Sequence, residues 1–324
     1  GEMTPILNAI FTSTSAMSGA GLVIYDTYTH WSLFGRIVIL LLIQIGNLGF
    51  IIVISMFSLF LRKRIGIYER RVLMQSEGTL RLSGVVKLLK RIFFITFITE
   101  FIGAAILAIR YCSEFGIGPG IELSIFHSVS AFCNAGFDLL GDYASLTAFR
   151  GNVVVNLVFM VLIILGGIGF TVIGDVVQKR RWRYFSLHTK IVLSVNTILL
   201  VVGAVLFWLL EMENPATIGT LSVGEQWLAS AFQSVTARTA GFNTIDIGAL
   251  SGASLTLMMI LMFIGASSTS TGGGIKTTTF TVLMLSTLSL LRGKKDVVLF
   301  KRRIDGNIIS KSYAIFVLAQ LWLV

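Results

Sequence analysis

The apolar run over residues 254–291 carries in its middle the tract Gly265-Ala-Ser-Ser-Thr-Ser-Thr-Gly-Gly-Gly-Ile-Lys276, an order that no soluble fold asks for. As one continuous helix the run would be about 57 Å long at ~1.5 Å per residue, well beyond the ~30 Å of hydrocarbon in a bilayer. It must therefore break. The tract is the place, because glycine lowers helix stability and serine and threonine side chains compete for backbone hydrogen bonds. Irregular backbone at membrane depth is tolerated only where protein or water covers it. Just upstream, residues 224–237 (GEQWLASAFQSVTA) set Trp227, Leu228, Ala231, Phe232 and Val235 at helix-compatible spacing. That helix reaches only about 20 Å, too short to cross. Residues 224–279 thus read as a re-entrant half-helix, a lining loop and a broken helix around an aqueous path.

Composition and charge placement agree. The chain is 55% hydrophobic and 13% charged, with a mean hydropathy of +0.85, as in polytopic helical membrane proteins. Its 32 glycines against 3 prolines suit closely packed membrane helices and re-entrant loops. The net charge of +10 is concentrated: of 26 Lys and Arg, 9 fall within residues 62–91, 5 within 179–190 and 7 within 292–311. Between those clusters the loops carry Asp26, Glu114, Glu122, Asp138, Asp142, Glu211, Glu213, Glu225 and Asp246. Basic loops mark the cytoplasmic side and acidic ones the outside, so the charge reports topology in a multi-pass cell-membrane protein rather than nucleic-acid binding. Cys112 and Cys133 are read as packing thiols, and His30, His127 and His188 are too scattered to form a metal set. No paired carboxylates or Ser/His/Asp group emerge, so the chain is not read as an enzyme.

A self-comparison finds one unit three times. Residues 4–16, with Thr4 as helix cap and Pro5 at the first helical position, precede Ser15-Ala-Met-Ser-Gly-Ala-Gly-Leu22 and an apolar helix over 34–61. A span over 87–111 is followed by a half-helix over 121–131, then Ser130-Ala-Phe-Cys-Asn-Ala-Gly-Phe137, then a helix over 152–178. A span over 189–210 precedes the third half-helix and Ala237-Arg-Thr-Ala-Gly-Phe242. The predicted organisation is repeat 1 over 1–61, repeat 2 over 87–178, repeat 3 over 189–291 and the start of a fourth over 312–324. Basic loops over 62–86, 179–188 and 292–311 connect them. The chain opens at Gly1-Glu-Met-Thr4 and stops in an apolar run, so it is read as truncated at both ends, with four units as the natural completion. The fold class is an all-α membrane protein built of tandem span, half-helix, loop and span units, pseudo-fourfold around a central pore.

Aligned, the three loops put Gly21, Gly136 and Gly241 in one column, with Ala20, Ala135 and Ala240 before it. Half-helices entering from outside aim the negative ends of their dipoles at one cavity, which favours a cation. Glycine permits positive φ, so successive carbonyls can face inward. Rings of carbonyl oxygens replace the hydration shell of a monovalent cation. A divalent site would call for acidic side chains, and none precedes these glycines. The candidate ion-binding groups are the backbone of Gly19, Ala20 and Gly21, of Asn134, Ala135 and Gly136, and of Thr239, Ala240 and Gly241.

The runs SAMSGAGL, SAFCNAGF and TARTAGFNT, with GASSTSTGGGIKTTT in the third inner helix, resemble the TrkH/KtrB superfamily of potassium transporters, more the KtrB branch. The resemblance covers nearly the whole chain. It implies a K⁺-selective pore with Gly21, Gly136 and Gly241 as filter glycines. It also implies an intramembrane gating loop over 265–276, with Gly265, Ser267, Ser268, Thr271, Gly272, Gly273, Gly274 and Lys276 as its residues. The implied partners are a second copy in a homodimer and a cytosolic ring of nucleotide-binding, KtrA/TrkA-like regulatory subunits, with K⁺ as the transported ion and no other cofactor. Ala20 departs from the family's frequent hydroxyl, and without a fourth loop the chain is not expected to conduct as it stands.

Other residues carry plainer expectations. Gly46, Gly49, Gly166, Gly167 and Gly169 serve close helix packing or line the cavity. Gly272–Thr278 differs from a phosphate-binding loop because Ile275 separates Gly274 from Lys276 and no strand precedes it. Lys276 is costly at membrane depth; it plugs the path as a tethered cation or reaches a carbonyl or carboxylate. Arg238 is placed behind the filter, paired with an acid such as Glu100 or Asp175, and Asn47, Asn156 and Asn196 join neighbouring helices. The competing readings are a pore for Na⁺, ammonium or water, and a non-conducting membrane anchor or enzyme.

Overall fold

The computed structural model describes residues 4–49, 85–293, 296–300 and 302–323. The chain starts with α1 (Ile6–Ser18), a half-helix capped by Pro5 with no side-chain bond. Thr4 is not the cap: its hydroxyl bonds His30 Nε2 at 2.9 Å, and Pro5, extended at ψ 135° and so not the first helical residue, is the cap whose carbonyl accepts from Asn8 N and Ala9 N. After a one-turn helix at Thr27–His30, α2 (Leu33–Leu48) begins at Ser32, whose Oγ accepts from Gly35 N. The expected helix over 34–61 stops at Gly49, which has φ 89°. The rest of that helix, and the basic loop as far as residue 84, lie outside the described residues.

The second unit is α3 (Val85–Phe115), α4 (Ile117–Phe132), α5 (Val153–Ile168) and α6 (Phe170–Lys179). Here the single helix expected over 152–178 is two, meeting at 96°. The cause is Gly169, at φ 98°, where an added Cβ would stand 2.5 Å from the Ser268 carbonyl oxygen. The third unit is α7 (Leu187–Glu211), α8 (Val223–Thr236) with a Ser222/Glu225 capping box, α9 (Gly252–Phe263) and α10 (Thr277–Leu291). A two-residue hairpin of β1 (Val298–Leu299) and β2 (Arg302–Arg303) leads into α11 (Gly306–Leu323). Among the described residues two helices, Leu89–Phe115 and Leu187–Glu211, are long and apolar enough to cross a membrane, and the bent α5/α6 pair passes the same test as one broken span.

The half-helices α4 and α8 are strapped to their own spans in the same way. Ser128 Oγ of α4 donates to the Glu100 carbonyl of α3 at 2.7 Å, and Ser234 Oγ of α8 donates to the Leu200 carbonyl of α7 at 2.8 Å. Opposite these serines stand Gly103 and Gly203, where any Cβ would strike the hydroxyl. Gly46 and Gly166 do the corresponding work on the other side: a Cβ would run into the carbonyls of Met17 and Phe132. These glycines therefore pack as expected, whereas Gly49 ends α2 and Gly169 separates α5 from α6. Gly166→Val is expected to cost about 3 kcal/mol by overpacking α5 against α4. A melting temperature in detergent equal to that of the parent would show that the two helices do not abut there.

Around this frame the core is aromatic, with Phe132, Phe137, Phe159 and Phe242 all buried and the rings of Phe159 and Phe242 edge-on at 5.0 Å between centroids. Large apolar side chains such as Phe101 and Ile109 face outward, as a chain solvated by lipid requires. The outer loops tie the units together. Tyr143 N donates to Asp26 Oδ2 at 3.1 Å, Leu146 N to the Asn243 carbonyl at 2.9 Å, and Asn243 N to Ser145 Oγ at 3.1 Å.

Candidate functional site

The half-helices α1, α4 and α8 deliver their C-terminal loops to one place. In each loop the backbone is left-handed at two positions separated by an alanine: Gly19 (φ 67°) and Gly21 (71°), Asn134 (53°) and Gly136 (74°), Thr239 (68°) and Gly241 (82°). Non-glycine residues occupy that region rarely, so Asn134 and Thr239 are held there by their surroundings.

The three glycines face one another. A Cβ on Gly21 would lie 2.8 Å from Ala135 O and 3.5 Å from Gly136 Cα. One on Gly136 would lie 3.0 Å from Ala240 O, 3.1 Å from Gly241 Cα and 3.5 Å from Gly21 Cα. One on Gly241 would lie 2.9 Å from Gly136 Cα. Gly136 thus sits between the other two, with backbone on both sides. Beside them opens a cavity of about 350 Å³ lined by Gly19, Ala20, Asn134, Thr239, Gly241 and Gly273 among others. Because the same half-helices end here, the negative ends of three dipoles converge on this point.

Below lies the break between α9 and α10, residues 264–276. The loop folds back on itself, with Ala266 N bonded to Gly273 O at 3.0 Å and Thr277 N to Ala266 O at 3.4 Å. Gly272 is directly under two of the upper loops: a Cβ there would stand 2.7 Å from Thr239 Oγ1 and 3.1 Å from Asn134 Nδ2. Thr271 Oγ1 donates to the Phe132 carbonyl at 3.0 Å. The loop is also moored to the α5/α6 bend, where Ser267 N reaches Gly167 O, Thr271 N reaches Gly166 O and Phe170 N reaches Thr269 O, at 3.0, 3.2 and 2.9 Å. Ser268 and Thr278 share a hydroxyl bond at 3.2 Å. Gly265 and Gly274 pack backbone to backbone, leaving no room for a side chain on either. Lys276 Nζ donates to the Gly272 carbonyl at 2.6 Å, so its charge is tethered to its own loop.

Three expectations are corrected here. Arg238 is buried beside Gly167 and Asn196, but among the described residues no carboxylate pairs with it. Glu100 accepts instead from Gln44 Nε2 at 3.2 Å. Asp175 is taken by Lys179, Ser186 N and Thr189 Oγ1. Among the described residues Asn196 reaches a distant segment, the 264–276 loop, through Ser267 Oγ at 3.0 Å. Asn47 donates to the Ile43 carbonyl in its own helix, and Asn156 donates to the carbonyls of Phe149 and Asn152 just ahead of α5.

Residues missed from sequence stand behind the loops. His127 Nε2 accepts from Leu139 N at 3.0 Å, and the hydroxyls of Ser130 and Thr236 engage carbonyls just past two of the glycines. On the acidic-loop side, burial pushes the Asp138 carboxyl up to about 6, against a hydrogen bond from Leu140 N and with nearby Asp26 adding to the rise. Asp26 is also raised by burial, but the N–H groups of Thr29, Tyr143 and Tyr28 outweigh that and hold it below the usual carboxylate value.

Comparison with known proteins follows the same lines. The family described as TrkH, cation transport protein, matches residues 1–324. The chain is 43% identical over 318 residues to Ktr system potassium uptake protein B of Vibrio alginolyticus, covering 97% of this chain and 69% of that protein. It is 43% identical over 311 residues to the protein of the same name from Bacillus subtilis (strain 168), covering 96% and 69%. It is 40% identical over 316 residues to potassium/sodium uptake protein NtpJ of Enterococcus hirae, covering 98% and 69%. These names are those of transporters, not enzymes. The crystal structure of the potassium transporter TrkH from Vibrio parahaemolyticus has the same fold, with a TM-score of 0.77 at 18% identity, over 98% of this chain and 64% of that one. This chain, with its three glycine loops around one point, therefore belongs to the TrkH family of cation transport proteins.

Proposed function

We propose that the chain carries potassium ions across the cell membrane as the membrane component of an uptake system. The backbone oxygens around Gly21, Gly136 and Gly241 replace the water shell of the ion, and the loop over 265–276 gates the path beneath. The single observation carrying this is the convergence of three left-handed glycine loops from three separate half-helices on one point. Carbonyl rings of this kind hold a dehydrated monovalent cation, and no acidic side chain stands in the loops ahead of the glycines to prefer a divalent one. The relatives named as potassium uptake proteins support the choice of ion.

The gate reading is supported by the position of Gly272 under Thr239 and Asn134 and by Lys276, whose ammonium is fixed to that loop and acts as a tethered cation below the ion row. The word "system" in two of the relatives' names points to a further subunit. A homodimer attached to a cytosolic nucleotide-binding ring is the assembly proposed, with the basic loops as the docking side. Crystals of the intact protein soaked in Rb⁺ or Tl⁺ are expected to give anomalous peaks on the line through the three glycines. Peaks elsewhere, or none at saturating ion, would defeat the reading. The name of the Enterococcus hirae relative joins sodium to potassium; a Na⁺-dependent rise in Rb⁺ uptake would extend the proposal to coupled transport.

A further inference from the structure

A hydroxyl residue stands near the end of each half-helix, Ser15 and Ser130 six residues before their glycines and Thr236 five before Gly241. In repeats 2 and 3 this residue grips the loop on both sides of the glycine. Its backbone carbonyl accepts the N–H just before, from Ala135 to Ser130 at 2.9 Å and from Ala240 to Thr236 at 3.0 Å. Its side chain donates to the carbonyl just after, Ser130 Oγ to Phe137 O at 2.7 Å and Thr236 Oγ1 to Phe242 O at 2.5 Å. Both hydroxyl residues are buried, as are Phe137 and Phe242, so water does not compete for either bond. Repeat 1 keeps only the backbone half, Ala20 N to Ser15 O at 3.1 Å. Its Ser15 Oγ is buried with no partner among the described residues, and Leu22, the residue after its glycine, is 61% exposed.

The consequence is geometric. A carbonyl held by a hydroxyl behind it is turned back into the protein, so in repeats 2 and 3 the oxygen row ends at the glycine. The loop is also fixed on both flanks against moving in on a smaller ion. We propose that Ser130 and Thr236 are positioning residues for ion selectivity, which pin the carbonyls of Phe137 and Phe242 off the axis and so keep the oxygen cage from contracting around Na⁺, while repeat 1 is held on one flank only. This rests on reading the glycine loops as a K⁺ filter. It assigns a role to side chains that never touch the ion.

The test is Rb⁺ uptake by cells expressing the intact protein, titrated with Na⁺, with each variant's inhibition constant for Na⁺ divided by its own Rb⁺ affinity. Ser130→Ala and Thr236→Val are expected to lower that ratio about fivefold each, the worth of one lost net hydrogen bond, and Thr236→Ser to restore it. Ser15→Ala removes a hydroxyl with no partner and is expected to keep the parent ratio. Parent ratios in both Ser130→Ala and Thr236→Val at normal membrane abundance, or an equal fall in Ser15→Ala, would overturn the proposal. Should a variant not reach the membrane, the detergent-purified protein carrying Thr236→Ser or Ser130→Thr gives a second reading: the difference between K⁺- and Na⁺-induced melting shifts is expected to be retained, and its loss would count against the clamp. Gly136→Ser run alongside separates the two layers. If it too leaves the ratio unchanged, the filter reading falls; if it abolishes discrimination while the hydroxyl variants do not, only the clamp falls.

Discussion

Gly136→Ser is expected to lower the preference for K⁺ over Na⁺ by at least about tenfold, the equivalent of ~1.4 kcal/mol. Two costs combine at this position. The backbone is left-handed at φ 74°, which disfavours an L side chain by roughly 1–2 kcal/mol. The new Cβ would also stand 3.0 Å from Ala240 O and 3.1 Å from Gly241 Cα, and both are backbone of another repeat, which cannot rotate away as a side chain would. The cage must open by a few tenths of an ångström or the loop must leave the left-handed region, and either change moves the oxygens that select the ion. Gly21→Ser and Gly241→Ser are expected to act in the same direction, each meeting backbone of repeat 2 on one side. The measurement is Rb⁺ uptake through the intact protein at rising Na⁺. Unchanged inhibition by Na⁺, at normal membrane abundance, would mean that these glycines do not line the ion's path.

How far such a site is legible in sequence depends on how local its cause is. The Ala-Gly column was readable because positive φ at Gly21, Gly136 and Gly241 is a property of single residues. The half-helices were readable because their lengths cannot span a bilayer. Breaks at Gly49 and Gly169 were not, since a glycine in an apolar helix looks the same whether it admits a neighbouring backbone, as Gly46 and Gly166 do, or ends the helix. The signal lay in the pairing: Gly46 with Gly49 and Gly166 with Gly169 have the same spacing in two repeats. The partner of Arg238 failed for a different reason. Opposite charge alone suggested Glu100 or Asp175, but each already has nearer donors on its own side of the molecule, a fact only the packing supplies. Ser130 and Thr236 are hydroxyl residues near the ends of their half-helices, but nothing in the sequence says which carbonyl either will reach.

Deleting residues 267–273 is expected to raise K⁺ flux through the intact protein by about tenfold or more, because the loop is held against Asn134 and Thr239 of the upper loops by many small interactions. Three backbone bonds to the α5/α6 bend, at Gly166, Gly167 and Phe170, and the Thr271 bond to the Phe132 carbonyl fix it, with Thr269 and Thr171 sharing a further hydroxyl contact at 2.8 Å. At about 1 kcal/mol net apiece these amount to several kcal/mol, enough to keep the open state to a few per cent or less. The excision itself is mild. Ala266 is already bonded to Gly273, and Gly265 packs against Gly274, so the cut ends are adjacent and α9 and α10 need not move apart to rejoin. A flux that rises, in protein with the parent's melting temperature, identifies residues 267–273 as the barrier. A flux that drops to zero in equally well-folded protein would mean that the loop forms part of the conducting path. Between these, Thr271→Val keeps the loop's length and its backbone bonds but removes the hydroxyl, which donates to the Phe132 carbonyl and accepts a longer bond from Asn134 Nδ2 at 3.5 Å, so the gate reading requires a smaller rise, of about fivefold, the worth of about one net hydrogen bond.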